Sequence, residues 1–289
     1  MQTVIQDAIQ QQSTDIQIIN NRIWFRIFGR LQQTQHSVQP FTGEISGFER
    51  KSETHLRRLP TDLTLSALRY PGEVSTPLDN EKGLIVFSGS HASGKTTLLL
   101  HWLSNLRNRS VYSQIALPTA SLPNVLWSED QPDIHILSVQ NSDDAFAALR
   151  MSIHQLVIAV VDARSNTDAL RHITMLLNQY NVQKIQSLLG EQIVSAVNIQ
   201  LVRTAQQHFR PLVSITNRNE STSSIMTEGE FHKLEDAVQR GNGGAGSLSS
   251  DVQLADWLQQ RQIDLDEALR FAIYPATMKL RAAGIIHND

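Results

Sequence analysis

One stretch of this chain has residue types at a spacing that performs chemistry. Gly89-Ser90-His91-Ala92-Ser93-Gly94-Lys95-Thr96 fits G-x-x-x-x-G-K-[ST] at every position, and Thr97 follows it. Glycines let such a loop wrap closely around phosphates, and its successive backbone N–H groups point at the anion. The loop then runs into a helix N-terminus, whose partial positive charge favours the same ligand. In this reading Lys95 reaches the β- and γ-phosphates of a nucleotide and the Thr96 hydroxyl ligates Mg²⁺. A second segment, Leu156-Val-Ile-Ala-Val-Val161-Asp162, is an apolar run ending in an acid. An aspartate there is either a plain strand end or the group that orients Mg²⁺ or the attacking water; with the loop upstream, the second reading is favoured.

The elements around these residues follow from hydrophobic pattern. Leu84–Phe87 reads as a short buried strand before the loop, and Lys95–Arg107 as a helix with Leu98, Leu99, Trp102, Leu103 and Leu106 on its apolar face. Val111–Leu117, Ile134–Val139 and Leu156–Val161 read as strands, and Ser142–Ile153 as a helix opened by an Asn/Ser/Asp cap. Such alternation predicts an α/β fold with a mainly parallel sheet. Beyond about residue 165 the chain reads as mostly helical, with a glycine-rich loop at 240–246 and tail helices over Asp251–Gln260 and Asp264–Ala272.

The start of the chain differs. Residues 1–12 suit a short amphipathic helix, and Ile16–Ile19 and Arg22–Phe28 suit two strands joined at Asn20-Asn21. Gly43–Arg50 and His55–Leu59 read as further strands. Prolines and glycines between Tyr70 and Gly83 mark a boundary. The expected organisation is a small α+β domain with linker over 1–80 and a nucleotide-binding domain over 81–289.

Composition excludes several classes. Of 289 residues 40% are hydrophobic and 18% charged, enough apolar material for a core and too little charge for a disordered chain. The net charge of -3 gives no support to a chain-wide nucleic-acid surface, although local basic patches stay open. Zero cysteines exclude disulfides, thiolate metal sites and a cysteine nucleophile. No apolar run approaches the roughly 20 residues of a spanning helix, and the first residues lack a signal-peptide pattern. A cytoplasmic protein is expected, with docking onto a membrane protein left open.

With these motifs in place the chain resembles the secretion and type IV pilus motor ATPases, in their retraction-ATPase branch. The likeness spans nearly the whole chain. Ser13–Ile18 is similar to the "SDIHL" start of the family's small PAS-like domain, and Arg22–Arg30 to the strand pair after it. Arg50 and Leu56-Arg57-Arg58-Leu59-Pro60 resemble its paired arginines. Lys82–Gly89 resembles "RGLVLVTG", Phe146–Arg150 the "ALR" helix, and Val157–Arg164 "VILVGEMR". Glu228-Gly229 through Gly241 is similar to "REGK…QTG", and Ser247–Leu269 to the helical tail.

The resemblance implies a RecA-like nucleotide-binding domain that takes ATP and Mg²⁺, with Arg50 and Arg57 reaching nucleotide at a domain or subunit interface. It also implies a ring, homohexameric or mixed with a paralogue, acting on an inner-membrane platform protein. Three departures stand against full activity. The family's "IEDP" acids fall on Ile115-Ala116-Leu117-Pro118, its catalytic Glu is replaced by Asp162, and its "TLHT" strand and loop have no counterpart between Arg164 and Ile193. His172 and His208 read as helical surface histidines, and Glu129 and Asp130 as solvated loop acids. Grip on phosphate needs only the loop, whereas hydrolysis needs a group that positions water. Two readings stay open: a motor ATPase, or a weakly active or inactive nucleotide-binding relative in the same machinery.

Overall fold

The computed structural model describes residues 15–19, 22–27, 30–34, 48–52, 55–58, 77–115, 117, 122, 124–180, 184–206 and 208–283. The expected helix at 1–12, the turn at Asn20-Asn21 and the linker up to residue 76 lie outside them. The chain divides into two compact units, one of residues 1–63 with 207–209, the other of the remainder.

The first unit carries a five-stranded sheet of β1 (Asp15–Ile19), β2 (Arg22–Ile27), β3 (Arg30–Gln33), β4 (Phe48–Ser52) and β5 (His55–Arg58), ordered β3-β2-β1-β5-β4. The paired strands are antiparallel. Ile16, Ile23 and Phe25 are buried in it.

The second unit is built on a seven-stranded sheet. Its strands are β6 (Gly83–Gly89), β7 (Ser110–Ser113), β8 (Leu126–Trp127), β9 (Ile134–Ser138), β10 (Leu156–Asp162), β11 (Ile193–Arg203) and β12 (Phe209–Asn217), in the order β12-β11-β6-β10-β9-β7-β8. β6 pairs in parallel with both β10 and β11, and β9 with β10 and β7. Parallel strands covered on both faces read as near-continuous apolar runs, and every residue of β6 is buried.

Helices α1 (Lys95–Ser104), α2 (Ser142–Ser152), α3 (Asn166–Leu177) and α4 (Ile185–Gln192) cover this sheet. Alternate residues of β6 serve its two faces. Leu84 and Val86 join a core with Leu149, Leu170 and Leu189, while the Phe87 ring meets that of Trp102 on α1 at 5.2 Å. Helices α5 (Glu220–Glu228), α6 (Leu234–Gln239), α7 (Ser250–Gln259), α8 (Leu265–Phe271) and α9 (Pro275–Ala282) complete the unit.

Several expectations are corrected. The chain beyond residue 165 is helical over most of its described residues, but two strands not expected there, β11 and β12, interrupt the helices, and β11 is a direct neighbour of β6. α1 stops at Ser104, where the Ser104 hydroxyl and the Asn105 amide both donate to His101 O and divert the last turn. The strand expected over Val111–Leu117 ends at Ser113. His172 does lie on α3, but His208 precedes β12 rather than lying in a helix.

Candidate functional site: a phosphate loop closed by an ion pair

The loop at the end of β6 is held open by its glycines for two separate reasons. At Gly89 the reason is space: a Cβ there would stand 2.4 Å from Ile199 O and 2.4 Å from Ser93 Oγ. At Gly94 it is conformation, since φ is +98°, in the left-handed region. Ala92 also takes a left-handed φ of 58°, and Ser93 N donates to Ser90 O at 3.1 Å. Left-handed residues within a tight turn aim successive N–H groups into one concavity.

α1 begins directly after the loop without a side-chain cap or a first-turn acid. Two helices beside the sheet show the contrast, since Asn141 caps α2 and Ser165 caps α3, whereas α4 shares the lack of a side-chain cap. First-turn N–H groups that no side chain claims are available to an anion. Lys95, Thr96 and Thr97 all fall in this turn and are partly buried. His91 and Ala92 are exposed at the tip, and Ser93 Oγ is buried without a partner inside the loop. A buried hydroxyl with no partner at a phosphate-shaped cradle is a donor kept for something else.

Lys95 and Asp162 come together although 67 positions separate them. Parallel pairing sets Asp162 opposite Gly89 at the carboxyl ends of β10 and β6. Lys95 Nζ donates to Gly89 O at 2.7 Å, Ser90 O at 2.8 Å and Asp162 Oδ1 at 2.7 Å. Those three bonds use its three protons. The Lys95 side chain is 15% exposed and that of Asp162 74%, so the ammonium is fixed and the carboxylate is free to exchange partners. A phosphate entering the loop competes with Asp162 for Lys95. The Asp162 carboxylate and the Thr96 hydroxyl are oxygen donors of the kind Mg²⁺ takes alongside its own waters. Among the described residues no cluster of three metal-ligating side chains exists.

β11 supplies groups the sequence reading missed. Asn198 Nδ2 donates to Ser88 Oγ (2.9 Å) and Ala163 O (3.2 Å), and Gln200 Nε2 to Ala163 O (3.3 Å) and Arg164 O (3.2 Å). These buried amides hold the backbone just after Asp162. The available signal was their i, i+2 spacing within an apolar run. Arg50 and Arg57 lie on adjacent strands of the first unit, where Arg50 pairs with Leu56 and Arg57 with Glu49. Of the "IEDP" position, Ile115 and Leu117 are described and neither is acidic; Glu129 and Asp130 are exposed in a loop.

A loop of this form after a central parallel strand, with an acid ending the neighbouring strand, sets an anion cradle at the carboxyl edge of an α/β sheet. No family profile matches the chain, and no curated protein matches it in sequence. Solved structures do. The Legionella pneumophila ATPase DotB is 15% identical with a TM-score of 0.69, over 97% of this chain and 94% of that one. The pilus retraction motor PilT, solved with bound ADP, is 14% identical with a TM-score of 0.71, over 96% and 98%. The Yersinia pseudotuberculosis DotB is 11% identical with a TM-score of 0.70, over 96% and 92%. The chain therefore has the fold of these proteins along nearly its whole length. Among the described residues no helix is long and apolar enough to cross a membrane.

Proposed function

We propose that this protein binds ATP with Mg²⁺ and works as a motor-type ATPase of a type IV pilus or secretion system. In this proposal nucleotide binding and hydrolysis move an inner-membrane platform protein, in pilus retraction or assembly, from the cytoplasmic side. The observation that carries it is the Lys95–Asp162 pair at the mouth of the phosphate loop. The proposed nucleotide contacts are Gly89 through Thr97, with Thr96 and Asp162 toward the metal and Arg50 and Arg57 reaching nucleotide across an interface. The bound cofactor supplies the scissile phosphate and its countercharge; the chain's own residues grip, orient and polarise. Lys95 holds the phosphate charge, and Asp162 accepts a hydrogen bond from the attacking water directly or through one further water. The ring, a homohexamer or one mixed with a paralogue, belongs to the same proposal, as does the division into domains 1–80 and 81–289.

A second reading has its own observation. The strand beside the loop offers the neutral amides Asn198 and Gln200, and the described part of the "IEDP" position holds no acid. Neither amide can take a proton from water. This favours a relative that binds nucleotide and turns it over slowly or not at all, as a regulatory or structural subunit.

Nucleotide binding and steady-state phosphate release by the natural chain and by Lys95→Ala separate the readings. Lys95→Ala is expected to weaken nucleotide binding by on the order of 10²-fold, the worth of charge-assisted bonds to phosphate. Release by the natural chain that disappears in the variant establishes the motor enzyme. Binding without release establishes the inactive relative, and a natural chain that binds no nucleotide overturns both.

A further inference from the structure

A cavity of about 540 Å³ opens beside the phosphate loop, within the second unit. Ser90 of the loop lines one side, and Arg164, Arg171, Arg270, His232 and Tyr274 line the others. We infer that this cavity is a second anion site, which holds orthophosphate between the guanidinium groups of Arg164, Arg171 and Arg270.

The charge around it is unbalanced. Three arginines line one void, while Asp168 is the one carboxylate among its lining residues. The guanidiniums of Arg164 and Arg171 make no hydrogen bond or ion pair among the described residues. Arg270 approaches Glu267 only to 3.9 Å and lies over the Phe271 ring at 5.5 Å. Arginine does not shed its charge by losing a proton. Like charges gathered at one cavity are stabilised by an anion, and the planar fork of arginine matches phosphate oxygens in pairs.

The walls are built rather than accidental. Gln200, 7% exposed, donates to the carbonyls of Ala163 and Arg164 and so fixes the backbone that carries Arg164. Ser165 caps the helix that presents Arg171. On the far side Asp251, 2% exposed, accepts from Ile273 N at 2.8 Å and Tyr274 N at 2.9 Å, which pins the segment after Arg270. The volume lies within the range of small-ligand sites and leaves a phosphate room for bound water.

Position selects the anion. Ser90 O accepts from Lys95 Nζ, and Arg164 follows Asp162 by two residues, so the cavity adjoins the point where loop lysine and strand acid meet. Phosphate cleaved from a nucleotide there has a cationic stop beside it. Orthophosphate as the natural occupant rests on the nucleotide reading above; the anion site itself rests on the arginines alone.

The test uses the full chain. Orthophosphate is titrated at low salt by calorimetry and ³¹P line broadening, in a Lys95→Ala background that disables the loop's own anion grip. Saturable binding of one phosphate per chain is expected to survive Lys95→Ala. Adding Arg171→Ala with Arg270→Ala is expected to weaken it by about tenfold or more. Arg171→Lys with Arg270→Lys is expected to lose less, since charge remains without the fork. With Lys95 intact, the double alanine variant is expected to bind a fluorescent ADP analogue within about twofold of the natural chain, which also shows that it folds. The proposal is overturned if the Lys95→Ala chain binds no orthophosphate, or if it binds equally well without the two arginines. It is also overturned if arginine loss weakens a non-hydrolysable ATP analogue selectively while orthophosphate never binds, since the arginines would then read a bound nucleotide. A natural chain that binds orthophosphate but no nucleotide sinks the functional reading and leaves the anion site standing.

Discussion

Two carboxylates in this molecule, Asp162 and Glu235, sit in opposite environments. Asp162 ends β10 in the open, 74% exposed, and holds Lys95 at 2.7 Å. Glu235 on α6 is 4% exposed and accepts from Ser249 Oγ at 2.5 Å, with Asp251 nearby. Burial pushes the Glu235 carboxyl up to about 7, partly restrained by the Ser249 bond. An exposed ion pair contributes little to stability because water screens it and both partners can leave. A buried acid is costly to charge and is kept only with its hydrogen bonds made. The contrast separates a group positioned for exchange from one that ties α6 to the start of α7.

The comparison is broken most severely at Asp162. Asp162→Asn keeps the shape and one acceptor oxygen but removes the charge. If the acid orients water or metal, phosphate release falls by about 10²–10⁴-fold while nucleotide affinity changes far less. Melting temperature is expected to stay nearly constant. A variant that melts early and keeps its rate would make Asp162 a structural end-cap instead.

The two regions were not equally legible in the sequence. The loop, β6, β10 and the cap at Asn141 could be read directly, because a spaced motif, short apolar runs and a local capping residue are encoded within a few positions of each other. β11 and β12 could not. A strand covered on both faces shows no alternation, and such a run is indistinguishable by period from a buried helix. Only Asn198 and Gln200, two apart, hinted at a strand face. The arginine-lined cavity left no local trace, since Arg164, Arg171 and Arg270 meet only through the order of the sheet and the return of the C-terminal helices. The same holds for Glu235 and Ser249, each ordinary in its own segment.

A smaller effect is expected at Glu235, in stability rather than rate. An acid whose carboxyl titrates higher in the fold than in the unfolded chain loses stability as pH rises, because the unfolded chain sheds its proton first. The window runs from about 4.5, its ordinary value, to about 7. Across it the fold is expected to lose on the order of 3 kcal/mol, with no further loss above. Denaturant unfolding at pH 5 and pH 8 measures this, and Glu235→Gln is expected to remove most of the difference. Asp251, also raised chiefly by burial, contributes in the same direction in both chains and cancels in the comparison.

The smallest change sharpens the same contrast. Ser249 does two things at once: its hydroxyl accepts from Val252 N at 3.3 Å as the cap of α7, and donates to Glu235 Oε1. Ser249→Ala removes both. Loss of the cap is expected to cost about 1 kcal/mol at any pH. Loss of the donor acts differently, because that bond favours the charged carboxylate and holds the Glu235 carboxyl down. Without it the carboxyl rises further, the window extends above 7, and the stability difference between pH 5 and pH 8 widens beyond that of the natural chain. In the Glu235→Gln background the same substitution should cost the cap and leave no widening. An equal pH difference in Ser249→Ala and the natural chain would show that the hydroxyl serves α7 alone and that burial by itself sets the acid.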